Sequence, residues 1–233
     1  MKRLVVPELL DSDSGTSREV AESLADLRTL NRRFGGVRTM CALIRQVAEQ
    51  RKLKDLDWLD VAGVAGDVAT LTTESLARDG ITVRPVVVDR ALSHMNGNHL
   101  NVCGDALALP FRDESFDVVG SSLFVHHLEP DEIGRFLSEG LRVTRHAFVI
   151  NDLIRHPLHW GLAAAGRAIY RSRLTRHDAP ASVRRAYTVA EIMTILERGN
   201  AAQISVKTFY LFRMGVIAWK TRASEPAPRP STI

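Results

Sequence analysis

Three acidic residues and a pair of histidines are spaced along this chain in a way that suits the handling of a nucleoside-bearing ligand. Asp60 sits within the apolar run Leu59-Asp60-Val61, where a carboxylate can accept a hydrogen bond from a ligand ammonium or order the amides of the turn behind it. That turn, Ala62-Gly63-Val64-Ala65-Gly66, keeps side chains small where a ligand must approach backbone. Asp89 follows Val86-Val87-Val88, about twenty residues past the turn, the position from which an acid grips two ribose hydroxyls. Asp105 lies in Cys103-Gly104-Asp105-Ala106, where a side-chain acceptor and the next backbone amide can read an adenine edge. His126 and His127 are base candidates, because imidazole can remove a phenolic or enolic proton near neutral pH. The other reading is that one histidine packs under the following helix and the second caps it. Asn151-Asp152 ends a later apolar run and points into the same crevice, for substrate contact or, at Asp152, for helix capping. His177 and Tyr187 belong to an irregular segment and are candidates for a lid over a substrate.

The elements that position these residues follow from periodicity. Thr16-Ser17-Arg18-Glu19 fits a capping box, and Val20, Leu24, Leu27 and Leu30 continue it as a helix over 16–34, stopped by Gly35-Gly36. Val37, Met40, Cys41, Ile44 and Val47 share one face of a second helix. Both precede the first strand and are expected to cover the sheet's carboxyl edge. Strands are expected at 58–62, 82–88, 100–103, 116–121 and 146–151, and helices at 66–78, 90–96 and 130–143. That alternation argues for parallel strands joined by helices. Residues 153–187 are helix-prone and Arg-rich, 189–198 form a helix capped by Thr188, and 203–211 with 213–220 form a closing hairpin. The Pro-rich end, 223–233, reads as a disordered tail.

The 233 residues suffice for one large domain, and no apolar run reaches the ~20 residues that span a bilayer. Residues 1–8 have no apolar core of signal-peptide type, and Cys41 and Cys103 form no metal or redox motif, which fits a reduced cytoplasmic setting. A net charge of +4, without aromatic-plus-basic runs, does not point to nucleic acid. The arginines at 167, 171, 173, 176, 184 and 185 read as a solvated face, as a site for an anionic substrate group, or as a weak contact with a membrane surface or carrier protein. No His/Cys/carboxylate grouping has metal-ligand spacing.

Taken in order, Gly104-Asp105-Ala106, Leu109-Pro110-Phe111, Ser115-Phe116-Asp117-Val118-Val119 and His126-His127-Leu128 resemble the class I S-adenosylmethionine-dependent methyltransferases, in the small-molecule branch that includes ubiquinone and menaquinone methyltransferases. The resemblance spans roughly residues 55–220. It implies an α/β, Rossmann-like fold: a seven-stranded, mostly parallel sheet with an antiparallel closing hairpin, an N-terminal helical cover over 1–52, and a methyltransferase domain over 53–222 with a helical lid at 153–187. It implies S-adenosyl-L-methionine as cofactor, held by Asp60, Ala62, Gly63, Gly66, Asp89, Arg90, Asp105, Ala106, Ser121 and Ser122. The chain departs from the family at Ala62 and Val64, which stand where the family has glycine; a β-branched Val64 disfavours positive φ.

The function expected is methyl transfer to a small phenolic, quinone-like or polyketide-derived acceptor, most simply at oxygen, with His126 or His127 as base and Asn151, Asp152, His177 and Tyr187 at the substrate. Two other readings stay open: a non-catalytic scaffold with a drifted cofactor loop, and a nicotinamide-dependent oxidoreductase, against which the turn's poor dinucleotide pattern counts.

Overall fold

The computed structural model describes residues 1–12, 14–91 and 99–221. Its centre is one sheet of seven strands: β1 (Asp55–Val61), β2 (Thr82–Asp89), β3 (Leu100–Cys103), β4 (Phe116–Ser122), β5 (Thr144–Leu153), β6 (Gln203–Phe209) and β7 (Arg213–Trp219), in the order β3-β2-β1-β4-β5-β7-β6. β7 runs antiparallel to both β5 and β6, so the closing hairpin supplies the one reversed strand, as expected. Strands buried on both faces need continuous apolar runs, and Val86-Val87-Val88 and Phe148-Val149-Ile150 provide them.

The helices are α1 (Ser17–Arg33), α2 (Gly36–Arg51), α3 (Asp67–Arg78), α4 (Pro130–Val143), α5 (Pro157–Ala165), α6 (Arg173–Arg185) and α7 (Val189–Leu196). Thr16 and Glu19 form the expected capping box at α1, and Thr188 and Glu191 form another at α7. One core layer joins Phe136, Ile192 and Phe148 under α4 and α7; the opposite layer joins Ile44, Leu76 and Trp58 under α2 and α3. α2 therefore lies on the sheet face rather than over its carboxyl edge, because its whole apolar stripe, Met40 to Val47, is needed to bury Trp58 and Val149. α1 does lie toward that edge, against α6.

β1 starts at Asp55, earlier than the apolar pattern indicates, because its polar residues are satisfied: the Asp57 amide donates to Asp117 at 2.8 Å and the Asp57 carboxylate accepts from Arg84 at 2.7 Å. The segment expected as helix at 90–96 falls largely outside the described residues, as does the tail expected at 223–233.

Residues 1–12 run as a strap across the α6 end of the molecule. The Leu4 amide donates to the Arg184 carbonyl at 3.1 Å, and the Leu9 and Leu10 amides donate to the two carboxylate oxygens of Asp178 at 2.8 and 3.1 Å. Arg155 Nε donates to the Met1 carbonyl at 2.9 Å.

Candidate functional site

Loops at the carboxyl end of β1, β4 and β5 surround a cavity of about 390 Å3, closed above by α1, α5, α6 and the strap. This is where an open α/β sheet places its ligands. Leu24, Leu27, Phe34, Leu162, Ile169 and Phe212 make most of its wall apolar.

Asp60 lies at the β1 side, fully buried, and neither carboxylate oxygen has a hydrogen-bond partner. Burial, reinforced by the charge of Asp89, pushes its pKa up to about 8. It does not order the turn amides, so one of its two expected roles is absent. Ala62 and Val64 both adopt left-handed backbone, at φ 57° and 51°, so the turn takes a glycine-type conformation without the glycines. Strain of this kind costs on the order of 1–2 kcal/mol at a β-branched residue. Asp89 offsets it by accepting the Val64 amide at 3.0 Å and the Ala91 amide at 2.9 Å. Gly63 has no room for a side chain, since a Cβ there would sit 2.8 Å from Asp60 Oδ2. Gly66 caps α3 at φ 70° beneath His99.

Of the residues expected at a cofactor, Asp60, Ala62, Gly63 and Ser122 line the cavity. Gly66, Asp89, Arg90, Asp105, Ala106 and Ser121 lie off its wall. Asp105 is exposed and accepts the Leu107 amide at 2.9 Å, shaping its own turn, and Arg90 is also exposed. Arg28, on α1, lines the cavity beside this loop, 3.5 Å from Asp67.

The opposite end is ionic. His126 is buried with Nδ1 2.7 Å from Asp152 Oδ1 and Nε2 3.5 Å from Glu8 Oε1. Burial alone would disfavour its charged form, but the two carboxylates outweigh it and raise the pKa to about 10. His126 is therefore an imidazolium at neutral pH and has no lone pair with which to accept a proton. His127, tilted against it with ring centres 4.2 Å apart, places Nδ1 3.0 Å from Asp11 Oδ2 and Nε2 3.9 Å from Glu8. The Asp11 carboxylate at Nδ1 favours the tautomer that, in the neutral ring, leaves the lone pair on Nε2.

Asp152 is off the cavity wall. It accepts the His126 ring, the His126 amide at 3.1 Å and its neighbour's amide, so it positions His126 instead of touching a ligand or capping a helix. Asn151 is also buried and donates to the Gly36 carbonyl at 3.0 Å and to Ser122 at 3.1 Å. Tyr187 donates to the Leu128 carbonyl at 2.7 Å under the Arg3 guanidinium, and His177 bonds Asp178 at 2.8 Å; neither lines the cavity. In the lid, Arg167 and Arg176 bond the carbonyls of Arg176 and Tyr170, and Arg173 pairs with Glu19.

Asp178, beside His177 in the segment expected as a lid, does line the cavity; sequence reasoning missed Glu8 and Asp11, because they reach the site from far along the chain. Their grouping also creates one trio with metal-ligand geometry among the described residues: Glu8, His126 and His127, with donor atoms within 4.8 Å of one another.

The ion pair at His126 has a thermodynamic consequence. Its pKa is higher folded than unfolded, so its contribution is complete below about pH 6.5 and is lost as pH rises toward about 10. The melting temperature should fall across pH 7–10. Asp152→Asn should cost about 3–5 kcal/mol at pH 7 and flatten that slope, as thermal melts at several pH values would show.

Residues 59–147 match the model of a methyltransferase domain family. No curated protein sequence matches the chain. Among solved structures, the plantazolicin methyltransferase BpumL in complex with SAH superposes with a TM-score of 0.64 at 9% identity, covering 91% of this chain and 94% of that one. An O-methyltransferase family 2 protein from Planctomyces limnophilus, in complex with apigenin, gives 0.58 at 13% identity, covering 89% and 63%. A SAM-dependent methyltransferase from Aquifex aeolicus gives 0.50 at 17% identity, covering 76% and 89%.

Proposed function

We propose that the chain is a class I S-adenosylmethionine-dependent methyltransferase and that it methylates a hydroxyl of a small acceptor with an apolar, aromatic body. The observation that carries this reading is the cavity itself. It joins a buried carboxylate without a partner, Asp60, to a histidine whose far nitrogen is anchored by a carboxylate, His127. BpumL, with this fold, is bound to SAH, and the Planctomyces protein to apigenin, a polyphenol.

Asp60 suits the ammonium of the cofactor's amino-acid end, and Arg28 its carboxylate. Asp89 holds the loop that faces the sugar. When bound, the cofactor's sulfonium supplies an already activated methyl group, so the protein's work is mainly alignment. His127 Nε2 takes the acceptor's hydroxyl proton, and Asp11 stabilises the imidazolium that results. The fixed charge of His126 favours the phenolate that forms beside it. The apolar walls keep water out.

Calorimetric titration with S-adenosylhomocysteine, against NADH as control, tests the cofactor assignment: micromolar binding of the first alone is expected. The strained Val64 favours a second reading, a scaffold with a weakened loop. Binding of S-adenosylhomocysteine by Val64→Gly but not by the natural chain would support it.

A further inference from the structure

Arg213 opens β7, on the side of the cavity away from the Asp60 loop. It is 3% exposed, its Nη1 has no hydrogen-bond partner, and its Nη2 reaches Asn31 Oδ1 at 3.3 Å. Among the described residues no carboxylate lies within ion-pair distance of it. Burial pushes its pKa down to about 10 against the opposing pull of Asp152, which still leaves it cationic at neutral pH. A buried guanidinium with an open N–H is costly until an anion or another acceptor completes it. The open N–H belongs to a cavity-lining residue, so the missing partner is a ligand group.

The strand order β1-β4-β5-β7 places three spacings, about 14 Å of sheet, between the backbones of Asp60 and Arg213. Arg28 is the cation beside the Asp60 loop, so the cofactor's amino-acid end already has its countercharge there. Arg213 instead stands near Asn31, Phe34 and Phe212, against the apolar wall that suits an aromatic body.

We propose that Arg213 is an anion-binding residue of the acceptor site, and that the acceptor is an aromatic acid: a carboxylate at Arg213, and the hydroxyl to be methylated at His127. This rests on the hydroxyl-methylation reading above and names its substrate class. Arginine suits the role because its planar fork binds a carboxylate through two parallel N–H donors.

The test uses 3-(4-hydroxyphenyl)propanoate and its methyl ester, a pair differing only in the charge-bearing group. Each is titrated calorimetrically into the full chain, with and without saturating S-adenosylhomocysteine, and into Arg213→Gln and Arg213→Lys. The acid should bind the natural chain at least tenfold more tightly than the ester. Arg213→Gln should erase that difference with its affinity for S-adenosylhomocysteine unchanged, and Arg213→Lys should retain part of it. Equal affinity of the natural chain for acid and ester overturns the proposal, whatever the variants do. Weakened S-adenosylhomocysteine binding in Arg213→Gln also overturns it, by moving the residue to the cofactor. Failure of the natural chain to bind S-adenosylhomocysteine counts against the cofactor reading alone, since the acid–ester difference is still read in its absence.

Discussion

Asp60→Asn should make the free protein more stable above pH 8 while weakening its hold on S-adenosylhomocysteine by about 10–100-fold. The two effects have one cause. The carboxyl is buried without a partner, and its pKa stands at about 8 against the ordinary 3.8. A carboxyl with a raised folded pKa contributes its full stability below about pH 4 and loses it as pH climbs through 8. Ionised, it costs the fold several kcal/mol; asparagine has the same shape and never ionises. A recovery of even ~2 kcal/mol would raise the melting temperature by roughly 4–8 °C. On the proposed reading the cofactor ammonium repays the charge, and the variant forfeits that pairing. Scanning calorimetry at pH 5 and pH 8, with titration at pH 8, reads both effects. A variant that melts with the natural chain at pH 8 and binds equally well would remove Asp60 from the cofactor site.

The second large effect concerns the proton. His127→Ala should lower kcat by about 10²–10⁴-fold and leave the affinity for S-adenosylhomocysteine unchanged, because its ring lies at the acceptor end of the cavity. Asp11→Asn should cost less, about tenfold, since it orients the ring and stabilises its charge without receiving the proton. Screening phenols, quinols and aromatic acids with labelled cofactor provides the assay. Full activity in His127→Ala would mean that transfer runs on alignment alone.

The fold was legible because it is written locally. Val86-Val87-Val88 before Asp89, and Thr16 with Glu19 before an apolar stripe, are patterns that neighbouring residues complete. The candidate cofactor loop was legible as local structure for the same reason: Asp60, the small-residue turn and Asp89 belong to consecutive elements, and the β-branched side chain of Val64 announces the strain that its φ of 51° shows. The acceptor half was not legible. Glu8 and Asp11 meet the histidines across 116 or more residues, and no spacing rule operates over that distance. Asp152 looked like a ligand contact because strand ends usually supply them; only its 2.7 Å bond to His126 shows that it faces a side chain instead. Arg213 gave no signal at all, since an arginine starting a strand is ordinary until its burial is known.

The strap also bears on the order in which the molecule assembles. The loop that would hold the cofactor joins β1 to α3 and is tied to β2, so its parts are near neighbours in the chain. The acceptor end closes only when residues 9 and 10 find Asp178, and residue 3 finds Glu129. Such distant pairings carry the largest loop-closure cost and form late. On a ribosome, Glu8 and Asp11 leave the exit tunnel 116 or more residues before the histidines they hold. The strap lies outside the sheet and is held by few contacts of this kind, so hydrogen exchange should find the acceptor end opening while the β1–α3 loop is still closed.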